Sequence, residues 1–170
     1  MRMIQLALLF GGLSVVTLLV WLLMVHGTGR QRPVGIGEGG IAIVGAAAGD
    51  VAIPVELAVT DVQKIQGLSD RESLPEDSGM LFVWGTPVQT SFAMRRMNFP
   101  LDIVFIKSAG ENTGEIIHIA SNLPACPGKN TGCATASPDE SFQYVLEVNG
   151  GFMERHGIHV GDAVTLSLPE

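Results

Sequence analysis

From about residue 41 onward, apolar and polar residues alternate along the chain, mostly with a period of two. In "VELAV", Val55, Leu57 and Val59 share one face and Glu56 and Ala58 the other, as a half-buried strand requires. With "IAIVG" upstream, this predicts an opening hairpin that starts near Ile41 and turns over 46–49. Thr60 and Gln63 then have the spacing of a capping box, and Val62, Ile65 and Leu68 recur on one side, so a short helix stopped by Gly67 is expected. "MLFVW" is a continuous apolar run, read as a strand buried on both faces that ends at Gly85. Further strands are predicted over 90–97, over "LDIVFI" after a bend at Pro100, and over "QYVLEVN". "EIIHIA" is another, with Ile117 and Ile119 on one face and Ile116 and His118 on the other. "GFMERHG" is a second short helix, with Asn149 as its expected N-cap and Gly157 placed for a left-handed C-terminal residue. A last strand puts Val164, Leu166 and Leu168 on one face. Seven or eight short strands, two short helices and no visible strand–helix alternation predict a mainly β domain over 41–170, an antiparallel sandwich or open barrel.

The N-terminus follows a different pattern. Residues 3–25 carry no charge, and Gln5, Ser14 and Thr17 are the strongly polar breaks. As a helix at roughly 1.5 Å per residue this run covers about 34 Å, enough for a hydrocarbon core of about 30 Å. It is longer than the apolar core of a cleavable signal, so an uncleaved anchor over 1–26 is expected, followed by a glycine-rich tether over 27–40. Arg2 on one side and Arg30 and Arg32 on the other leave the charge rule nearly tied.

Cys126 and Cys133, the two cysteines of the chain, break the tie. They lie close together in "LPACPGKNTGCATASP", a Pro/Gly-rich loop, and suggest a disulfide in an oxidising compartment. Free structural thiols or half of a zinc site are the competing readings; six intervening residues match no common zinc knuckle. The expected localisation is therefore a single-pass protein of the cell membrane, with its C-terminal domain extracytoplasmic.

Charge narrows the partners. From Gly40 onward there are 16 acidic and 7 basic residues, a net charge of −9 with His neutral. Nucleic acid is not expected as a partner, because phosphate binding needs a basic patch and only Arg95 and Arg96 are adjacent. No nucleophile elbow, phosphate loop or zinc-helix motif occurs. His156 and His159 are separated by Gly157, which ends the helix, so no metal site and no cofactor is predicted.

The anomaly is Asp102, a carboxylate inside the apolar run "SFAMRRMNFPLDIVFI". A lone buried carboxylate costs several kcal/mol, so Asp102 must meet water, a hydrogen-bonding partner or a ligand. Arg71 and Arg96 are the expected partners, in a partly buried pair at the rim of a site.

The ordered blocks "VELAVTDVQKIQGLSDR", "GMLFVW", "FAMRRMNFPLDIVFI" and "YVLEVNGGFMERHGIHVGDAV" resemble domain-of-unknown-function family 192 over about residues 41–168. The resemblance implies a small, mainly β domain, often secreted or anchored, with no established activity. Arg71, Met94, Arg95, Pro100, Leu101 and Asp102 match the family pattern. This chain departs from it at Ala93, where the family has Trp, and at Arg96 and Met97, where it has Asn-Thr. Three functional readings stay open: a binding module for a small polar ligand, glycan or envelope partner; an envelope hydrolase using Asp102 and Glu147 as paired carboxylates; and a purely structural Asp102. The candidate binding residues are Arg71, Met94, Arg95, Arg96, Asp102 and Glu147.

Overall fold

A computed structural model describes residues 37–46, 49–129 and 131–168, all within the unit Gly35–Glu170. Among them are the strands β1 (Gly37–Ala46), β2 (Gly49–Ala58), β3 (Gly79–Val88), β4 (Phe92–Ala93), β5 (Leu101–Gly110), β6 (Thr113–Leu123), β7 (Thr135–Ala136), β8 (Phe142–Asn149) and β9 (Ala163–Ser167). The helices are α1 (Asp61–Gln66) and α2 (Phe152–His156). The expected anchor over 1–26 and the tether up to residue 36 lie outside the described residues. β1 begins at Gly37, so the last four residues assigned to the tether belong to the sheet. No helix among the described residues is long and apolar enough to cross a membrane.

Seven strands form a closed barrel in the order β1-β2-β3-β8-β5-β6-β9, and β4 with β7 makes a separate two-stranded ribbon. This corrects the sandwich or open barrel expected from the sequence. β1 closes the barrel, because Val44 lies opposite Val51 of β2 on one side and Val164 of β9 on the other. Closure leaves no unpaired edge on these seven strands. One pairing is parallel: β2 runs alongside β3, with Val55 opposite Gly79, and the chain crosses between them through α1. A single crossover leaves no repeating strand–helix pattern to detect. A period of two shows which residues are buried, not which strand lies beside them.

Two apolar clusters hold the barrel. The inner one gathers Val55, Leu81, Val104, Ile106, Leu146, Val164 and their neighbours. The outer one, including Phe82, Met94, Leu101, Ile103, Phe105 and Phe142, lies between the barrel wall and the segments that wrap it. β5 belongs to both, its residues alternating between the clusters, and everything from Leu101 to Ile106 is buried. At roughly 1.5–3 kcal/mol for each large side chain fully buried, this strand is a main source of stability.

Four local expectations are corrected. Phe105 pairs with His118 and Ile106 with Ile116, so a bulge at Ile117 breaks the alternation in β6. Ile116 and Ile119 therefore pack against the inner cluster, while Ile117 packs against the outer one. The strand predicted over 90–97 shrinks to β4, because the chain turns after it and Arg96 adopts φ 56°. α1 has the predicted Thr60–Gln63 capping box, yet Val62 and Ile65 are 77% and 83% exposed, and only Leu68 beyond the helix is buried. β3 continues past Gly85 to Val88.

Candidate functional site

Asp102 is fully buried and enters the barrel interior at its strand end. Its Oδ1 accepts hydrogen bonds from the backbone N–H of Asn122 at 2.7 Å and Gly151 at 2.9 Å, and its Oδ2 accepts from Met153 N–H at 2.8 Å. It thus caps α2 from a distant strand, the role expected of Asn149. Asn149 instead donates its side-chain amide to the carbonyls of Leu74 and Pro75. "NGG" makes the approach possible: Gly151 has φ 76°, and a Cβ on Gly150 would stand 2.5 Å from Asn122 Oδ1 and 3.0 Å from Pro100 Cβ. The arginines expected beside Asp102 are elsewhere. Arg71 forms a two-pronged pair with Glu56 at 2.7 and 2.9 Å, and Arg96 pairs with Asp70 at 3.2 Å. Three backbone donors satisfy a carboxylate as a cation does, and β6 and the start of α2, both distant in sequence, supply them.

The chemically open feature lies on the outer face of the same sheet. Glu147 of β8 is opposite Met80 of β3 on one side and Ile103 of β5 on the other. It is 7% exposed, and its carboxyl has no hydrogen-bonding partner among the described residues. Among the described residues no buried side-chain oxygen is sealed off without a partner, so the carboxyl oxygens of Glu147 face the cleft that it lines. Burial pushes its pKa up from 4.5 to about 8, partly offset by the charge of Arg71. Arg71 cannot do more, because its guanidinium is committed to Glu56.

Glu147 lies in the floor of an open cleft of about 640 Å³ between α1 and the segment around β4. One side carries Lys64, whose ammonium lies 4.9 Å above the ring of Trp84. Trp84 meets Phe92 edge to face at 6.1 Å, and Phe92 meets Phe82 in the same way at 5.0 Å, giving the cleft an aromatic wall. The other side carries Arg95, held by a stapled loop. β4 pairs with β7, the N–H of Met94 donates to Ala134 C=O, that of Arg96 to Lys129 C=O, and that of Cys126 to Met97 C=O. The Cys126–Cys133 disulfide expected from the sequence is formed and closes this loop on itself.

The structure therefore separates the candidate residues. Arg95 and Glu147 line one cleft, and Arg71 acts on Glu147 through its charge. Met94 is fully buried in the outer cluster, Arg96 is tied to Asp70, and Asp102 points into the barrel. Asp102 and Glu147 project from opposite faces of one sheet, so the paired carboxylates of a hydrolase are not formed. Lys64, Trp84 and Phe92 were missed. The signal available was an aromatic residue and a basic residue flanking breaks in predicted elements, too common to single out. Ala93, where the family pattern has Trp, also lines the cleft.

Comparison with known proteins agrees with this fold. The model of domain-of-unknown-function family 192, described as "Uncharacterized ACR", matches residues 43–166. The chain belongs to this family. A crystal structure of a proposed transcription regulator from Sinorhizobium meliloti 1021 is 33% identical, with a TM-score of 0.66 over 78% of this chain and 96% of that one. A protein of unknown function from Novosphingobium aromaticivorans DSM 12444 is 31% identical, with a TM-score of 0.65 over 78% and 89%. No functionally curated protein matches the chain. This member of family 192 thus shares its barrel with solved structures whose descriptions assign no reaction.

Proposed function

We propose that this domain is a binding module that takes a small polar ligand in the cleft between α1 and β4, presented on the extracytoplasmic side by an N-terminal membrane anchor. One observation carries the reading: Glu147 is a buried carboxyl without a hydrogen-bonding partner at the floor of an open cleft. Such a group is costly to keep unless something returns the lost hydrogen bonds, and a bound ligand does so. The aromatic wall and rim of polar side chains match a ligand with one apolar face and several hydroxyl or charged groups, such as a sugar. The Cys126–Cys133 disulfide supports the oxidising side of the membrane. A nucleic-acid reading, suggested by the description of the Sinorhizobium relative, is disfavoured by the charge of −9.

The test is a titration of the full-length chain with neutral sugars, organic acids and amines, followed by the amide resonances of the domain. The expected result is a ligand whose shifts cluster at Lys64, Trp84, Phe92 and Glu147 and which no longer binds when Ala93→Trp fills the cleft. Shifts that map elsewhere, or a variant that binds as the parent does, would sink the proposal.

A further inference from the structure

Among the described residues, Arg71, Arg96 and Lys107 are each paired with a carboxylate, from Glu56, Asp70 and Glu140. Lys64, Arg95, Lys129 and Arg155 make no ion pair there, and two of these four, Lys64 over Trp84 and Arg95, line the same cleft. Facing them are Asp61 at the exposed start of α1 and Glu147 on the floor. In a domain of charge −9, a cleft lined by two cations against the carboxylate of Asp61 and the buried carboxyl of Glu147 is less acidic than the surrounding surface and favours anions over cations.

We propose that the ligand is a carboxylate-bearing sugar, of the uronic acid class, whose carboxylate is held by Lys64 and Arg95 while the carboxyl of Glu147 donates a hydrogen bond to it. The proposal rests on the reading of the cleft as a binding site and names the ligand class. The planar fork of an arginine matches a carboxylate with two parallel hydrogen bonds, and a lysine adds a movable charge. Phe92, half-buried at the cleft wall, offers an apolar surface to a ring, and the exposed Thr90 and Ser91 offer hydroxyl groups to its substituents. A neutral sugar would leave both cations without a counter-charge. An amine would have to sit between them.

Glu147 makes the choice testable through pH. A carboxyl and a carboxylate at one site are stable when they share a single proton, and repel when both are ionised. The charge that acts on Glu147 is that of Arg71, with its partner Glu56 of β2; Asp61 and Lys64 from α1 and Arg95 from the segment after β4 line the same cleft, and Met80 and Ile103 on the flanking strands carry no charge. Burial raises the pKa of Glu147 to about 8, so the acid form that an anionic ligand needs is dominant at pH 7 and scarce at pH 9.

The experiment is calorimetric titration of the full-length chain in detergent with sodium glucuronate, a glucuronate-terminated oligosaccharide, glucose, glucosamine and inorganic phosphate at pH 7 and pH 9. Glucuronate is expected to bind at least tenfold more tightly than glucose at pH 7, and about tenfold more weakly at pH 9 than at pH 7, as one proton is lost near pH 8. The oligosaccharide separates a free acid from a glycan end by which of the two binds more tightly. Lys64→Ala with Arg95→Ala should lose most of the preference for the acid over glucose, whereas Lys107→Ala, away from the cleft, should keep it. Glu147→Gln should weaken glucuronate about threefold at pH 7 and flatten its pH dependence. If glucose or phosphate binds as tightly as glucuronate, if glucosamine is preferred, or if affinity holds at pH 9, the acid is wrong although the cleft still binds. If nothing in the panel binds, both this inference and the binding reading fall.

Discussion

Asp102 and Glu147 sit on adjacent strands of one sheet and show how much a carboxylate depends on the side it faces. Asp102 turns inward and receives three backbone donors, each a charge-assisted hydrogen bond. Asp102→Asn keeps the shape but places an NH2 group against N–H donors, and should destabilise the domain by about 2–5 kcal/mol, measured by urea unfolding. Substituting Arg71 or Arg96 should not reproduce that loss, because neither touches Asp102. Glu147 turns outward, where burial favours its neutral form. Its folded pKa of about 8 lies above the ordinary 4.5, so the proton is held more tightly in the folded state. The contribution of this group is fully present below about pH 4.5 and is lost as pH rises to about 8. Glu147→Gln should therefore flatten this part of the stability profile and gain on the parent toward pH 8; unfolding midpoints at pH 5, 7 and 8.5 that change in parallel for both would contradict this.

At the scale of elements, the cleft is made by two pieces of different stiffness. α1 buries none of its own residues and is held at its start by the Thr60–Gln63 capping box and against β3 by Lys64 on Trp84. The opposite wall is β4 and the turn after it, clamped to a loop that the Cys126–Cys133 bridge closes. The bridge belongs to the wall and not to the barrel. Replacing both cysteines with serine should cost about 2–3 kcal/mol on the chain-entropy model and leave the β content unchanged. The amides of Met94 and Arg96, which donate into that loop, should then exchange faster with solvent while those of β5 and β8 keep their protection. Uniformly faster exchange would show that the bridge supports the barrel itself.

At the scale of the whole molecule, the barrel is closed by β1 against β9, with Ile41 opposite Ser167, so the start and end of the described domain share one seam. The proposed arrangement puts this barrel outside the membrane on an anchor over 1–26. Protease added to intact cells after any outer layer is opened should remove the domain; protection until lysis would reverse the topology.

The sequence alone determined part of the local structure. The shared face of Val55 and Leu57, the strand over 101–106, the Thr60–Gln63 box, the Gly157 stop and the pairing of Cys126 with Cys133 each follow from residues a few positions apart, where one side chain's preference decides the backbone. The blocks carrying these features were also enough to reveal the family. What the sequence could not decide is what lies across space. The partners of Asp102 are backbone groups 20, 49 and 51 residues away, and a peptide N–H leaves no trace in the type of residue that bears it. The cleft draws on α1, β3, β4 and β8, and the isolation of Glu147 depends on Arg71 having chosen Glu56. Burial, pairing and charge balance are properties of the assembled barrel, because each depends on distances that only folding sets.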